Sequence, residues 1–358
     1  MPKRALIAMS GGVDSAVAAA LMSEEGYDCV GATMKLIASG GSKCCSLEDI
    51  NDARAAAWKL GIRHYVMNYT EAFTRLVIEP FISAYERGET PNPCIECNRR
   101  LKFRLLLRRA RELGAEVLVS GHYARITPES GGRRLLRKGA DPQKDQSYVL
   151  YMMGQDELEF TRFPLGNMTK AEVRDLAARR GLSNAAKRES QDICFVPGGD
   201  YGAFMETHRG RAYPEGDITD EAGGVIGRHR GLVRYTLGQR RGTGVALNRP
   251  VYVTAKSVET NTLVVGAESS LYSKSLDALR INLIACDGLT RPLRLKVKTR
   301  YLQAGQWALV EQTGPAAVHV EFEEAQRAIT PGQAAVFYDG DIVIGGGTIA
   351  PLGRDYHP

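Results

Sequence analysis

Nowhere do the 358 residues hold an apolar run long enough to cross a bilayer, and the short one in "MPKRALIAMSGG" is interrupted by glycines. A soluble, cytosolic chain without a membrane partner is expected. An internal repeat is missing too, which argues against solenoids, and a charged share of 25% beside an apolar share of 44% excludes a disordered chain. Nor is one sign of charge in large excess: 47 Lys+Arg against 41 Asp+Glu leave +6, too little to read a polyanionic partner from the sum. Distribution says more, because basic residues crowd "NRRLKFRLLLRRAR" (98–111), "GGRRLLRK" (131–138) and "GRHRGLVRY" (227–235). Cysteine is sparse and odd in number, seven residues, so a disulfide framework is not expected in a reducing compartment. Cys29 and Cys286 lie in apolar, strand-like runs and read as buried small hydrophobes. Cys44, Cys45, Cys94, Cys97 and Cys194 lie in polar or turn-like settings, where a thiol is available for chemistry.

The length exceeds one ordinary domain. The first half alternates strands and helices: "RALIAM", then a helix over "VDSAVAAALMSEEG", the strand "DCVGATM", and a helix over "SLEDINDARAAAWKLG" capped by Ser46. "HYVMN" and "EVLVSG" follow as strands, with helices over 71–87 and 97–114, and further helical stretches at "DQSYVLYMM" and "TKAEVRDLAARRG", the last capped by Thr169. This predicts an α/β fold, a doubly wound parallel sheet whose ligands sit beyond the carboxyl ends of its strands. After about Phe195 a Gly- and Pro-rich stretch marks a boundary, and period-2 runs with hairpin punctuation take over, including the Asp-Gly signal in "YDGDI". The expected domains are 1–198, 199–275 as a small, mainly β linking domain, and 276–358 as a β-barrel of about six strands.

Neither a Walker A loop nor GxGxxG is present. Instead "ALIAMSGGVDSAVAAAL" sets Ser10-Gly11-Gly12-Val13-Asp14-Ser15 between a strand and a helix. Two glycines let backbone N–H groups close on an anion, and the helix N-terminus adds partial positive charge. A generic Gly-Gly there would be a turn without a nucleotide. The full string SGGVDS, however, resembles the pyrophosphatase-type loop of ATP enzymes that cleave between the α and β phosphates and adenylylate a substrate. That resemblance implies ATP at Ala8, Met9, Ser10, Gly11, Gly12, Val13, Asp14 and Ser15. A carboxylate such as Asp14 beside phosphate calls for a cation between them, hence Mg²⁺.

The strings "TPNPCIECNRRLKF", "SGHYAR", "KDQSYVLY", "RESQDICFVPGGDYGAFM", "YTLGQRRGTGV", "VKTRY" and "ITPGQAAVFYDGDIVIGGG" together resemble the bacterial tRNA-specific 2-thiouridylase family, in order along nearly the whole chain. The resemblance implies ATP-dependent replacement of O2 of a tRNA wobble uridine by sulfur. Cys97 then matches the nucleophile, and Cys194 the persulfide carrier that forms a transient disulfide with it. Met34 and Gly121 match nucleotide contacts, and Pro91, Asn92 and Pro93 lie near the target base. Lys144, Asp145, Gln146, Arg300 and Tyr301 match tRNA contacts, and a sulfur-donor protein is the implied partner. "KDQ" equally reads as a helix cap, "RY" as a strand end, and His122 as a structural histidine rather than a general base.

Two features depart from the family's pattern. Cys94 stands where many members carry Asp, and Glu96 is the nearest other carboxylate. Cys94, Cys97 and Cys194 also make a set of three, as an iron–sulfur cluster with one open position would need; zinc would want a fourth ligand. The alternatives are the persulfide pair Cys97/Cys194 with Cys94 a bystander, or that cluster. An adenylylating amidotransferase acting on a small metabolite, or a non-catalytic RNA-binding protein on a vestigial nucleotide fold, are the other classes.

Overall fold

The computed structural model describes residues 2–37, 47–182, 193–245 and 249–351. The expected cap at Ser46 and the pair Cys44–Cys45 lie outside them.

Four short strands, β1 (Arg4–Ala8), β2 (Asp28–Lys35), β3 (Arg63–Asn68) and β4 (Val117–Ser120), are parallel neighbours in the order β3-β2-β1-β4. The runs of β1, β2 and β4 are continuous and buried because helices cover both faces, while the edge strand β3 is largely exposed. One face packs against the helices Val13–Glu24, Leu47–Lys59 and Lys170–Arg179 through Ile7, Val17, Ala53 and Val173. The other face meets the helical stretch 70–86 and the helix that begins at Pro93, through Leu6, Phe81, Leu101 and Phe103.

The pairing of β5 (Ala124–Pro128) and β6 (Arg134–Lys138) places the basic run "GGRRLLRK" at a hairpin, and β6 leaves the first half to pair with the C-terminal barrel. β7 (Thr161–Arg162) adds a fifth parallel strand beyond β4. The stretch "DQSYVLYMM" forms only the 3₁₀ turn Ser147–Leu150.

The Gly-rich boundary region holds a helix missed by the sequence reading, Tyr201–Arg209, capped by Asp200 and closed by Gly210 in the left-handed region. A sheet in the order β10-β11-β8-β9 follows, from β8 (Gly216–Thr219), β9 (Val225–His229), β10 (Tyr252–Ser257) and β11 (Thr262–Gly266). The last six strands, β12 (Tyr272–Leu283), β13 (Leu293–Lys298), β14 (Gln306–Gly314), β15 (Ala317–Arg327), β16 (Ala334–Asp339) and β17 (Ile342–Ile349), run antiparallel as β12-β15-β14-β13-β16-β17, and β12 pairs with β17 to close a barrel. Inward residues alternate with outward ones, Leu295, Val297, Ala308, Val310, Val318, Val320 and Phe337 filling the interior. Gly340, at φ +57, turns β16 into β17 in the "YDGDI" hairpin. Asp341 in that turn accepts from Arg125 at 2.7 Å and Arg137 at 2.8 Å, which fixes the barrel to the hairpin of the first domain.

Candidate active site

β1 ends at Ala8 and the chain turns through Ser10–Gly12 into the helix Val13–Glu24, with Gly12 as its N-cap. Gly11 sits at φ +78, and a Cβ there would come within 2.3 Å of the Asp49 carbonyl oxygen, so only glycine fits. Ser15 is buried; its hydroxyl accepts from the Ser10 N–H at 3.2 Å and donates to the Gly12 carbonyl at 3.0 Å. It shapes the loop from beneath rather than lining it. Met9 and Val13 are buried as well, leaving Ser10 exposed and Gly12 and Asp14 half-buried at the surface of the cradle. Gly121, after β4, abuts the loop from the side: a Cβ there would lie 2.9 Å from the Asp14 carbonyl carbon and the Ser15 nitrogen. The first-turn amides of a helix lack intrahelical partners, and with Gly12 as an N-cap that supplies no side-chain acceptor this turn suits phosphate.

Asp14 has partners of its own within the chain. The ammonium of Lys170 lies 2.8 Å from each of its carboxylate oxygens, and the Tyr123 hydroxyl donates to Oδ1 at 2.7 Å. Lys170 is 6% exposed and lies 5.6 Å from the centre of the Tyr123 ring. Part of the positive charge that the sequence reading assigned to Mg²⁺ is therefore built into the chain. Lys170 escaped the sequence reading, although its signal was there: a lysine in the first turn opposes the helix dipole of Lys170–Arg179 and so calls for another use.

His122 is fully enclosed, with Nδ1 2.7 Å from the Ser120 hydroxyl and its ring between Phe103 and Phe163. Burial, aided by the charge of Lys102, drives its pKa well below the ordinary value, so it stays neutral and structural. Met34 is buried on β2 beside Met67 of β3.

The helix carrying Cys97 begins at Pro93, four residues earlier than expected, with Asn92 as N-cap accepting from the Cys94 N–H at 3.1 Å. Pro93 occupies N1, where no N–H is needed. Cys97–Leu106 continues it in a wider π-helical winding, a form that concentrates at functional sites. The first helical turn, where the helix dipole acts, thus holds exposed Cys94 rather than Cys97, with Asn92 as cap and Pro93 buried at the start. Glu96 turns to Arg99 at 3.2 Å and Arg100 at 3.3 Å. Cys97 and Cys194 are both half-buried thiols bordering the same apolar core, and Phe195 anchors the second by edge-on contacts to Phe73 and Phe81. Cys29 and Cys286 have pKa values raised by burial, in keeping with inert thiols. Among the described residues no three His, Cys, Asp or Glu side chains gather so as to hold a metal, and Cys94, Cys97 and Cys194 do not form a ligand set.

The turn 331–333 of the barrel docks on this helix start. The Thr90 N–H donates to the Pro331 carbonyl at 2.9 Å, and Gln333 donates back to the Thr90 carbonyl at 2.6 Å. "ITPGQ" and "TPNPC", far apart in sequence, are one contact.

Two further distant strings also meet. Asp145 accepts from the Gly139 and Ser147 N–H groups and the Ser147 hydroxyl, and Gln146 exchanges hydrogen bonds with the Tyr123 backbone. Both side chains thus make hydrogen bonds inside the chain. Beside them Tyr301 packs at 6.0 Å from Tyr148, the Lys298 ammonium lies 5.8 Å from the Tyr148 ring and 6.0 Å from that of Tyr301, and Lys138 lies 4.4 Å from the Tyr338 ring. Burial lowers the pKa of both lysines, each also feeling the charge of Asp145. Arg300 donates to the Ala328 carbonyl and the Thr330 hydroxyl. Lys138, Lys298 and Tyr338 were not singled out from the sequence because only barrel closure gathers them with 144–146 and 300–301.

No helix among the described residues is long and apolar enough to cross a membrane. Three family models match in succession: a tRNA methyl transferase HUP domain over 3–198, a tRNA methyl transferase PRC-barrel domain over 202–267, and an aminomethyltransferase β-barrel domain over 273–349. Curated relatives match along the whole chain. A tRNA-specific 2-thiouridylase of Acetivibrio thermocellus is 45% identical over 97% of this chain and 99% of its own. Those of Symbiobacterium thermophilum and Geobacter metallireducens are each 48% identical, covering 97% of this chain and 92% and 96% of theirs.

Proposed function

Because this chain belongs to the tRNA-specific 2-thiouridylase family, we propose that it carries out ATP-dependent 2-thiolation of the wobble uridine of tRNA. The observation that carries this reading is the phosphate cradle at Ser10–Gly12 in a chain similar end to end to such enzymes.

A uracil carbonyl oxygen is a poor leaving group. Attack of O2 on the α-phosphorus of ATP expels pyrophosphate and leaves C2 bonded to an AMP oxygen, which can depart. The loop amides hold the phosphates, while Lys170 keeps Asp14 neutralised and the cradle in shape. Mg²⁺ bound with the nucleotide would offset the charge of its phosphates, with Ser10 and Asp14 the loop side chains that would hold it. Cys194 carries the sulfur as a persulfide. Its terminal sulfur attacks C2 and AMP leaves; the Cys97 thiolate then attacks the Cys194 Sγ, breaking the S–S bond. One sulfur remains on the base, and the two cysteines end as a disulfide, to be reduced by an external thiol. A persulfide-bearing donor protein reloads Cys194. Lys144, Lys298 and Tyr301 contact the tRNA at the aromatic–lysine patch.

The test is a single-turnover reaction with unmodified tRNA, ATP and a persulfide donor. Pyrophosphate release that depends on tRNA, with 2-thiouridine in the digested product, is expected. Pyrophosphate released with a small amine acceptor and not with tRNA would replace this function by an amidotransferase.

A further inference from the structure

A second concavity, of about 260 Å³, opens where the Pro91–Pro93 turn, the helical stretch 70–86 and the barrel meet. Arg75, Arg87, Arg100 and Arg280 line it, against Glu89 and Glu96. Arg87 is engaged by Glu89 at 3.1 Å and Arg100 by Glu96 at 3.3 Å. Arg75 and Arg280, both exposed, make no ion pair with any described residue. The cleft therefore has two uncompensated cations, one on the wall from each domain.

Arg280 is held there deliberately. It lies in β12 at φ +52, a conformation an L side chain seldom takes, and in a bulge that breaks the β12–β17 register between Leu279 and Asn282. Bulges re-aim side chains, and left-handed non-glycine residues persist only where surrounding structure over-determines them. Asn282 supplies that constraint, donating to the Tyr151 carbonyl at 2.7 Å and the Met153 carbonyl at 3.0 Å, across the domain boundary. A glycine would take this backbone without strain, so Arg280→Gly removes the guanidinium without adding strain.

We infer that this cleft is a phosphate-backbone subsite for the RNA strand flanking the modified nucleotide, with Arg280 and Arg75 as its phosphate ligands. The inference rests on tRNA being the substrate. Ile95 and Glu96 line the cleft and Cys97 is the next residue, so a strand that offers a base to Cys97 has its flanking phosphates at hand. A guanidinium fork suits phosphate oxygens, and cations on two walls suit a polyanion threaded between them.

The experiment measures the affinity of the full chain for unmodified tRNA transcript between roughly 50 and 200 mM salt. Arg280→Gln and Arg75→Gln should each weaken binding about five- to tenfold and flatten the log–log salt slope by about one, as for one lost phosphate contact, while Arg280→Lys keeps the slope. Arg280→Gly, which relieves the backbone, should melt no lower than the parent yet bind RNA as weakly as Arg280→Gln, separating contact from fold. A parent chain that does not bind tRNA would overturn the proposed function itself. A parent that binds, with glutamine variants that keep its affinity and slope, would overturn the subsite alone. Variants with intact tRNA binding that fail only to accept sulfur from a donor protein would give the cleft to that protein and overturn the RNA assignment.

Discussion

The ammonium of Lys170 stands 2.8 Å from both carboxylate oxygens of Asp14, joining residues 156 positions apart at the Ser10–Gly12 loop. Removing one partner of a buried ion pair costs about 3–5 kcal/mol; with the Asp14 side chain 28% exposed, about 2 kcal/mol is the better expectation here. Lys170→Met should therefore lower the melting temperature and abolish tRNA-dependent pyrophosphate release. The double variant Lys170→Met/Asp14→Asn should recover the melting temperature but not the release. Recovery of both would reduce the pair to a structural one.

Gly332 tests the docking of the barrel on the helix start. It sits at φ +86, and a Cβ there would meet the Glu89 Cβ at 3.0 Å and the Thr90 nitrogen at 3.1 Å. Gly332→Ala should leave ATP affinity unchanged, because the cradle is elsewhere, and slow thiolation of tRNA at least tenfold. Equilibrium ATP binding and single-turnover thiolation, measured side by side, check this split.

Lys256 of β10 donates to the Tyr235 carbonyl at 3.1 Å, and burial depresses its pKa from 10.5 to about 8. Its unfolded form holds the proton between those values and its folded form does not, so stability rises with pH through that window. The gain is full above 10.5 and is lost as pH falls through about 8. The shift corresponds to at most about 3 kcal/mol. Urea unfolding at steps between the two pH values should show this rise in the parent and a flatter curve in Lys256→Met; parallel curves would contradict it.

The three cysteines near the site separate by substitution. Cys97→Ser and Cys194→Ser should each abolish single-turnover thiolation, the latter also preventing persulfide loading, seen as the loss of a one-sulfur mass increase. Cys94→Ser should thiolate within about threefold of the parent, since among the described residues no thiolate triad is assembled. Iron and acid-labile sulfide bound stoichiometrically to anaerobically prepared parent would reverse that expectation.

Local chemistry made much of this molecule legible. The strand–turn–helix around SGGVDS, the Thr169 cap with its Glu172 capping box, the β10–β11 hairpin and the six barrel strands follow from apolar period, glycine position and cap residues, which act over a few positions. The Pro93 start was misread because the Pro-Asn-Pro string reads equally as a turn, and only Asn92's bond to the Cys94 N–H makes it a cap.

Function class, too, lay in the sequence, because phosphate cradles and reactive thiols need particular residue types at particular spacings. What tertiary structure alone decided is which charges meet. Lys170 finds Asp14 because two helices share one face of the sheet, "ITPGQ" finds "TPNPC" because the barrel folds back, and Lys298 meets Tyr148 because β13 lies over the turn after Gln146. Coulombic and ring contacts act over a few ångströms of space, whatever the separation along the chain, so no window of sequence displays them. Arg280 is the sharpest instance: one arginine among many in the sequence, marked out only by a backbone conformation that barrel closure imposes.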